Sequence, residues 1–362
     1  VVGIALGLAV RPGIDWAKAL SPVRAGAPCS ANATLLSHSD QLDGVDVSGE
    51  AVSGLSALAM TEESRAYALA DNEPGRVFPL TLRDPENLNV SAEVGRTLRD
   101  AAGARYGDKI DGEGLVVERG GRTILVGSEK GPSIRRFEIG TGREVGEPIV
   151  VPERLREPPA GDAQFGRTIE ALAATPDGDH LYAGWEAPLS ADGDAQGRNR
   201  LRIQRYRGTP GGEYTPDRQY GYVTDAGLYL AELVVVGKDR LLVLERQYVD
   251  GLGNAIRVFD VHLEAAVDVT DDPTLADNSA DMFVRRTLLF DLGDCPAGSP
   301  GQVTVKQRQP NPLLDNVVGM AAFPEETAGP NQGTRLLYLV SDNNTKDRRV
   351  TRVYAVRVRL PV

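Results

Sequence analysis

The stretch DGEGLVVERGGRTILVGSEKGPSIRRF, residues 111–137, decides the fold. A short apolar run from Leu115 to Val117 precedes a Gly-Gly pair, and a second run, Ile124 to Val126, follows it. Two runs of strand length joined by a glycine turn predict a β-hairpin. Charge brackets this hairpin. Asp111 and Glu113 stand where the first strand begins, and Glu129 where the second ends, with Lys130, Arg135 and Arg136 close behind.

The pattern recurs in SGLSALAMTEESRAYALADN (53–72), IEALAATPDGDHLYAGWEAP (169–188), AELVVVGKDRLLVLERQ (231–247) and VGMAAFPEETAGPNQGTRLLYLVSDNN (318–344). Each is an apolar strand, a polar turn, a second apolar strand and a polar or acidic end. Short strands such as SIRRFEI (133–139), RLRIQRY (200–206), AIRVFDVHL (255–263) and RVYAVRVRL (352–360) follow most of them. The spacing leaves room for a four-stranded antiparallel sheet in every repeat, and a radial stack of such sheets is an all-β protein, a β-propeller. Continuous apolar runs such as LVVV and LLVLE suit strands covered on both faces by neighbouring blades. Five repeats are counted. The gap around residues 265–312 leaves room for a sixth or for a large insertion. The last repeat runs out after its third strand, so ATLLSHS (33–39) is expected to complete that blade and close the ring. The expected organisation is an N-terminal segment over 1–30 and a single propeller domain over 31–362.

Composition agrees. Forty glycines and 23 prolines are spread along 362 residues, as many tight turns require. A formal charge of -11 with no basic patch argues against nucleic acid as a partner. The opening VVGIALGLAV is uncharged but too short to span a bilayer. It reads as the end of a signal-peptide core or a trimmed anchor, or else as a buried strand. No transmembrane span is expected in the mature domain, and the protein is expected to be secreted, periplasmic or at the cell surface. Cys29 and Cys295 fit no metal spacing. They read as one disulfide or as two buried thiols. Ring closure would bring Cys29 near the strand RTLLFDL (286–292), just before Cys295, where a disulfide would clamp the closure.

In a propeller blade the start of the first strand and the end of the second meet on one face of the central channel. The repeat therefore gathers Asp111, Glu113, Glu170, Glu232 and Asp315 with Asp71, Asn72, Glu129, Glu186, Glu245, Asp342 and Asn343 around one mouth. Such a ring repels itself unless cations bind or some groups protonate. Oxygen ligands, in a chain with three histidines and two cysteines, point to a hard cation, with calcium the best match. The expected ligands are Asp111, Glu113, Glu129, Glu170, Glu186, Glu232 and Glu245. Taken singly, each acid also reads as a hairpin cap or the partner of an arginine. Lys130, Arg135 and Arg246 lie at or beyond second strands, where they would meet phosphoryl oxygens. Arg135 and Arg136 are adjacent on a strand and point to opposite faces, so at most one lines a site. The loop DGDAQGRNRLRI (192–203) starts like a calcium loop but ends on Ile203, which favours a plain turn.

These hairpins resemble the phytase-like domain family, whose label is "esterase-like activity of phytase", found in exported bacterial proteins. The segments that carry the resemblance are GLSALA with LADN, DGEGLVV with GSEKGPSIRRF, IEALAATPDG with WEAPL, AELVVVGKDRLLVLER, and DNVVGMAAF with LYLVSDNN. The resemblance implies a β-propeller that hydrolyses a small phosphoester or ester, with Glu113, Glu129, Glu170, Glu186, Glu232 and Glu245 on the channel face. Where the family pattern reads DNVEGM, this chain reads DNVVGM, so Val318 replaces an acid. The expected activity is calcium-dependent phosphoester hydrolysis, with Glu113, Glu170 and Glu232 acting on a metal-bound water. The alternative is a calcium-stabilised propeller that binds a ligand or a partner protein without chemistry.

Overall fold

The computed structural model describes residues 28–361 apart from 63, 119, 250–251, 277–279, 297–308, 310 and 345–348. The reading of VVGIALGLAV and most of the 1–30 segment therefore falls outside the described residues.

Five antiparallel blades follow one another along the chain. Their inner hairpins are Leu55–Glu62 with Arg65–Ala70, Gly112–Val117 with Thr123–Ser128, Ile169–Ala174 with His180–Trp185, Tyr229–Gly237 with Arg240–Val249, and Val317–Ala322 with Arg335–Ser341. These are blades 1 to 5. The first strands of these hairpins touch in a closed circle, blade 5 meeting blade 1. Blade 2 stops at its third strand, Ser133–Glu138, whereas blades 3 and 4 reach a fourth in Tyr214–Val223 and Arg285–Asp291. The stretch around 265–312 thus supplies the outer strand of blade 4, and no sixth blade occurs among the described residues.

The apolar runs are continuous because both faces of each inner strand are covered. Leu58, Leu115, Leu172, Leu233 and Met320 pack against the preceding blade, and Ala59, Val116, Ala173 and Ala321 against the following one. One hydrophobic cluster fills each of the interfaces between blades. Truncating one of these leucines to alanine would cost about 2–5 kcal/mol.

Ring closure follows the sequence. Ala33–Ser39 pairs antiparallel with Val353–Val358 as the outer strand of blade 5. A disulfide joins Cys29, just before that strand, to Cys295 beyond the outer strand of blade 4, across 266 residues of chain. Both cysteines lie in the cluster between blades 4 and 5, so the covalent link sits where the ring would otherwise part.

Candidate functional site

Each inner strand carries a β-bulge at the same level, near its start. The extra residue, skipped in the pairing, is Ser56 in blade 1, Glu113 in blade 2, Glu170 in blade 3, Ala231 in blade 4 and Val318 in blade 5. Bulges re-aim a side chain and recur beside functional sites. Here they bring Glu113 and Glu170 to the channel mouth.

A second ring stands beside the first, at the end of each second strand. The backbone N–H groups of Asp71, Glu129, Glu186 and Asp342 donate to the carbonyls of Gly54, Asp111, Thr168 and Asn316, at 2.8–2.9 Å. The matching pair in blade 4 is Arg246 opposite Tyr229. The strand-end ring therefore holds four acids and one arginine.

The two rings bring the acids together in two groups. Asp71, Asp111 and Glu113 form one, and Glu129, Glu170 and Glu186 the other; within each, one oxygen per carboxylate lies within 4.8 Å of the rest. Lys130 Nζ lies 3.4 Å from Asp111 Oδ2. Arg246 Nη2 donates to Glu170 Oε1 at 3.1 Å. Arg167 Nε stands 4.0 Å from Glu186 Oε2.

Crowding and burial make the charged forms costly. Burial, then Glu170 and the other nearby acids, push Glu113 well above the usual carboxylate range. Burial and Glu186 do the same to Glu170, against the pull of Arg246. Glu129 is pushed up to about 8 by burial, Glu186 and Asp111, and Asp71 up to about 7 by burial, Asp342 and Asp111. Asp71 Oδ1 is buried with no hydrogen-bond partner. A carboxylate oxygen in that state, inside an all-oxygen group, fits a hard divalent cation such as calcium.

Three of the expected site residues lie elsewhere. Glu232 stands one residue beyond the bulge, at the level of Ala57, Gly114, Ala171 and Gly319. That level abuts the next inner strand: a Cβ on Gly114 would lie 2.7 Å from Leu172 N, and one on Gly319 3.0 Å from Ala57 Cα. Glu232 is accordingly buried against blade 5, where it accepts the Leu233 N–H at 2.9 Å and meets the Met320 backbone. Burial first, and Glu170 next among the raising causes, lift its pKa well above the ordinary value.

Glu245 precedes Arg246 and so points the other way. It accepts the Tyr222 hydroxyl at 2.6 Å, Arg286 Nη1 at 2.9 Å and the Asp225 N–H at 2.8 Å, between blades 3 and 4. Arg135 lies on the third strand of blade 2, donating to Glu144 at 2.7 Å above the Tyr106 ring. Arg136, facing oppositely, is held by Glu118. The loop after Asp192 is a turn, with Asp192 locked on Arg202 at 2.7 and 2.9 Å.

The sequence reading placed Asp71 in the wider ring but not among the ligands. It missed Arg167 and Tyr229 altogether; the one signal was their position at the entry to two inner strands, Arg167 two residues before Ile169 and Tyr229 as the first residue of its own.

Comparison with curated proteins gives no match. Among solved structures, the Malassezia sympodialis allergen Mala s 1 aligns at 10% identity and a TM-score of 0.42, covering 84% of this chain and 92% of that one. A Trichoderma reesei carbohydrate-active enzyme of family AA12 aligns at 10% identity and a TM-score of 0.40, over 92% of this chain and 98% of that one. Kuenenia stuttgartiensis hydrazine synthase aligns at 12% identity and a TM-score of 0.35, over 78% of this chain, which spans 63% of that one. Likeness at this level carries no argument about chemistry. The phytase-like family model, described as esterase-like activity of phytase, matches residues 50–345. With most of its length matched, including every inner hairpin, the chain belongs to the phytase-like family.

Proposed function

We propose that the protein is an exported, calcium-dependent hydrolase of small phosphoesters, working at the acidic mouth of the channel. The observation that carries this reading is the polarity of the mouth. Blades 1, 2, 3 and 5 present carboxylates, and blade 4 presents Arg246 at the position where its neighbours carry an acid. A site with a cation seat on one side and a guanidinium on the other suits an anionic group between them. The buried disulfide supports an oxidising compartment.

Asp71, Asp111 and Glu113 would hold the cation, and Glu129, Glu170 and Glu186 offer a second seat. When bound, calcium supplies charge that polarises a phosphoryl oxygen. Arg246 has a donor to spare: its Nη2 holds Glu170, while its buried Nε has no hydrogen-bond partner. The Arg246 side chain as a whole keeps 26% exposure, and its guanidinium would bind a phosphoryl oxygen and stabilise charge as it develops. With the second seat empty, Glu170 favours the protonated form and stands against Arg246, so its carboxyl is then suited to pass a proton to a leaving oxygen. Lys130, beside Asp111, balances the first acid group.

The test is elemental analysis followed by turnover of a generic phosphoester with calcium, with chelator, and in Glu113→Gln and Glu170→Gln. Calcium-dependent turnover lost in both variants is the expected result. Bound calcium that raises Tm while a broad panel of phosphoesters and carboxyl esters stays intact would replace the hydrolase with a binding propeller.

A further inference from the structure

Beside the second acid group stands a flat, part-apolar shelf that the proposed chemistry does not use. Arg167 lies 5.0 Å from the centre of the Tyr229 ring and 4.0 Å from Glu186. Tyr229 is the cross-strand partner of Arg246. The Arg167 side chain is still 45% exposed, so with one side of its guanidinium against the tyrosine, the outer side meets solvent. Two residues earlier, Phe165 is 70% exposed, the most exposed of the large hydrophobic side chains described.

The loop that carries Phe165 is firmly tied on both sides. Gln164 Nε2 donates to the Pro188 carbonyl at 2.9 Å, the Gly166 N–H to Glu157 Oε1 at 3.0 Å, and Thr168 Oγ1 to the Glu129 carbonyl at 2.6 Å. The last of these bonds fastens the loop to a residue of the acid group itself. The bonds fix the loop, not the Phe165 ring, which stays open to a flat ligand that would cover it by stacking.

Resting on the hydrolase reading, we infer that Phe165, Arg167 and Tyr229 form the subsite for the leaving group, and that the substrate class is a phosphomonoester of a flat ring, an aryl or nucleobase-bearing alcohol. The guanidinium stacks on a ring face as readily as on Tyr229, and the phenylalanine adds an apolar wall. Arg246, paired across the strands with Tyr229, then lies beside the phosphoryl end.

The experiment is calorimetry on the calcium-loaded full chain with phenyl phosphate and with glycerol 1-phosphate, followed by turnover of both. Phenyl phosphate is expected to bind about fivefold or more tightly than glycerol 1-phosphate. Phe165→Ala should bring the two to within about twofold by weakening phenyl phosphate, because stacking acts only on the ring. Phe165 is on the surface, so this variant keeps the fold; Tyr229→Leu should narrow the preference in the same sense. Equal binding of the two compounds, or a preference untouched by Phe165→Ala, overturns the inference, as does failure of both to bind. A ring preference without turnover of either compound upholds the subsite and sinks the hydrolase; turnover of both without preference does the reverse.

Discussion

Blades 3 and 4 are built from nearly the same material and do opposite things at the channel mouth. Each has a glutamate near the start of its first strand and another near the end of its second. In blade 3 these are Glu170, at the bulge, and Glu186, at the strand end, and both join the acid group. In blade 4 the bulge residue is Ala231 and the strand-end residue is Arg246. The glutamates sit one residue away, Glu232 against blade 5 and Glu245 against Tyr222 and Arg286. A one-residue offset turns a strand side chain to the other face. It has turned two acids into the protein and brought an arginine to the mouth. The lesson is that the sign of charge at this site is set by register as much as by composition.

The largest effect should come from undoing the arginine. Arg246→Gln is expected to lower kcat toward a phosphoester by about 10²–10³-fold, the usual cost of removing one donor to developing charge. A kcat within about twofold of the parent would remove the distinction between the blades as a catalytic one.

Calcium should act on blades 1 to 3. At a concentration about 100-fold above its Kd, a cation that binds only the folded chain adds about 2.7 kcal/mol of stability. Differential scanning calorimetry with and without chelator reads this directly. Asp71→Asn and Glu113→Gln are expected to shrink the calcium shift, and a full-sized shift in both would move the cation elsewhere.

The pH dependence of the metal-free protein sharpens the same contrast. Glu129 and Asp71, with folded pKa values of about 8 and about 7 against ordinary values of 4.5 and 3.8, hold protons in the native state that the unfolded chain has released. Their contribution is intact at the ordinary values and is lost as pH rises toward the folded ones. Tm without calcium should therefore fall between pH 5 and 8, and Glu129→Gln should flatten that fall. A Tm that rises over this range in the chelated protein contradicts the crowding at the mouth.

The smallest effect belongs to the displaced acid of blade 4. Glu232→Gln keeps the acceptor oxygen for the Leu233 N–H and removes a carboxyl that already favours its neutral form. Its cost should stay under about 1 kcal/mol by urea denaturation, with calcium affinity unchanged. A loss of calcium binding would return Glu232 to the ligand set.

Much of the fold was legible in particular residues. The runs LVVV and LLVLE named strands covered on both sides, and ATLLSHS with Cys29 and Cys295 marked the closure that the structure contains. The acids at 111, 113, 129, 170 and 186 were legible because those hairpins keep a common register. Glu232 and Glu245 were not, because each stands one position off its blade 3 counterpart, Glu232 directly before Leu233 where Glu170 is two before Leu172, and that offset tells only once the pairing is known. Arg135 was out of reach for a related reason: its partner Glu144 comes from a loop beyond the strand. Arg167 and Tyr229 meet across two blades, and nothing local announces that contact.

The sequence by itself determined the repeat, the hairpins, the closing strand and the gathering of acids on one face, since strand periodicity and turn chemistry are local properties of the chain. Only the tertiary structure decided which acids share a cation seat, which are buried in the interfaces, and that Arg246 faces them. Those outcomes depend on bulges and on packing between neighbouring blades, where a shift of one residue exchanges channel for core.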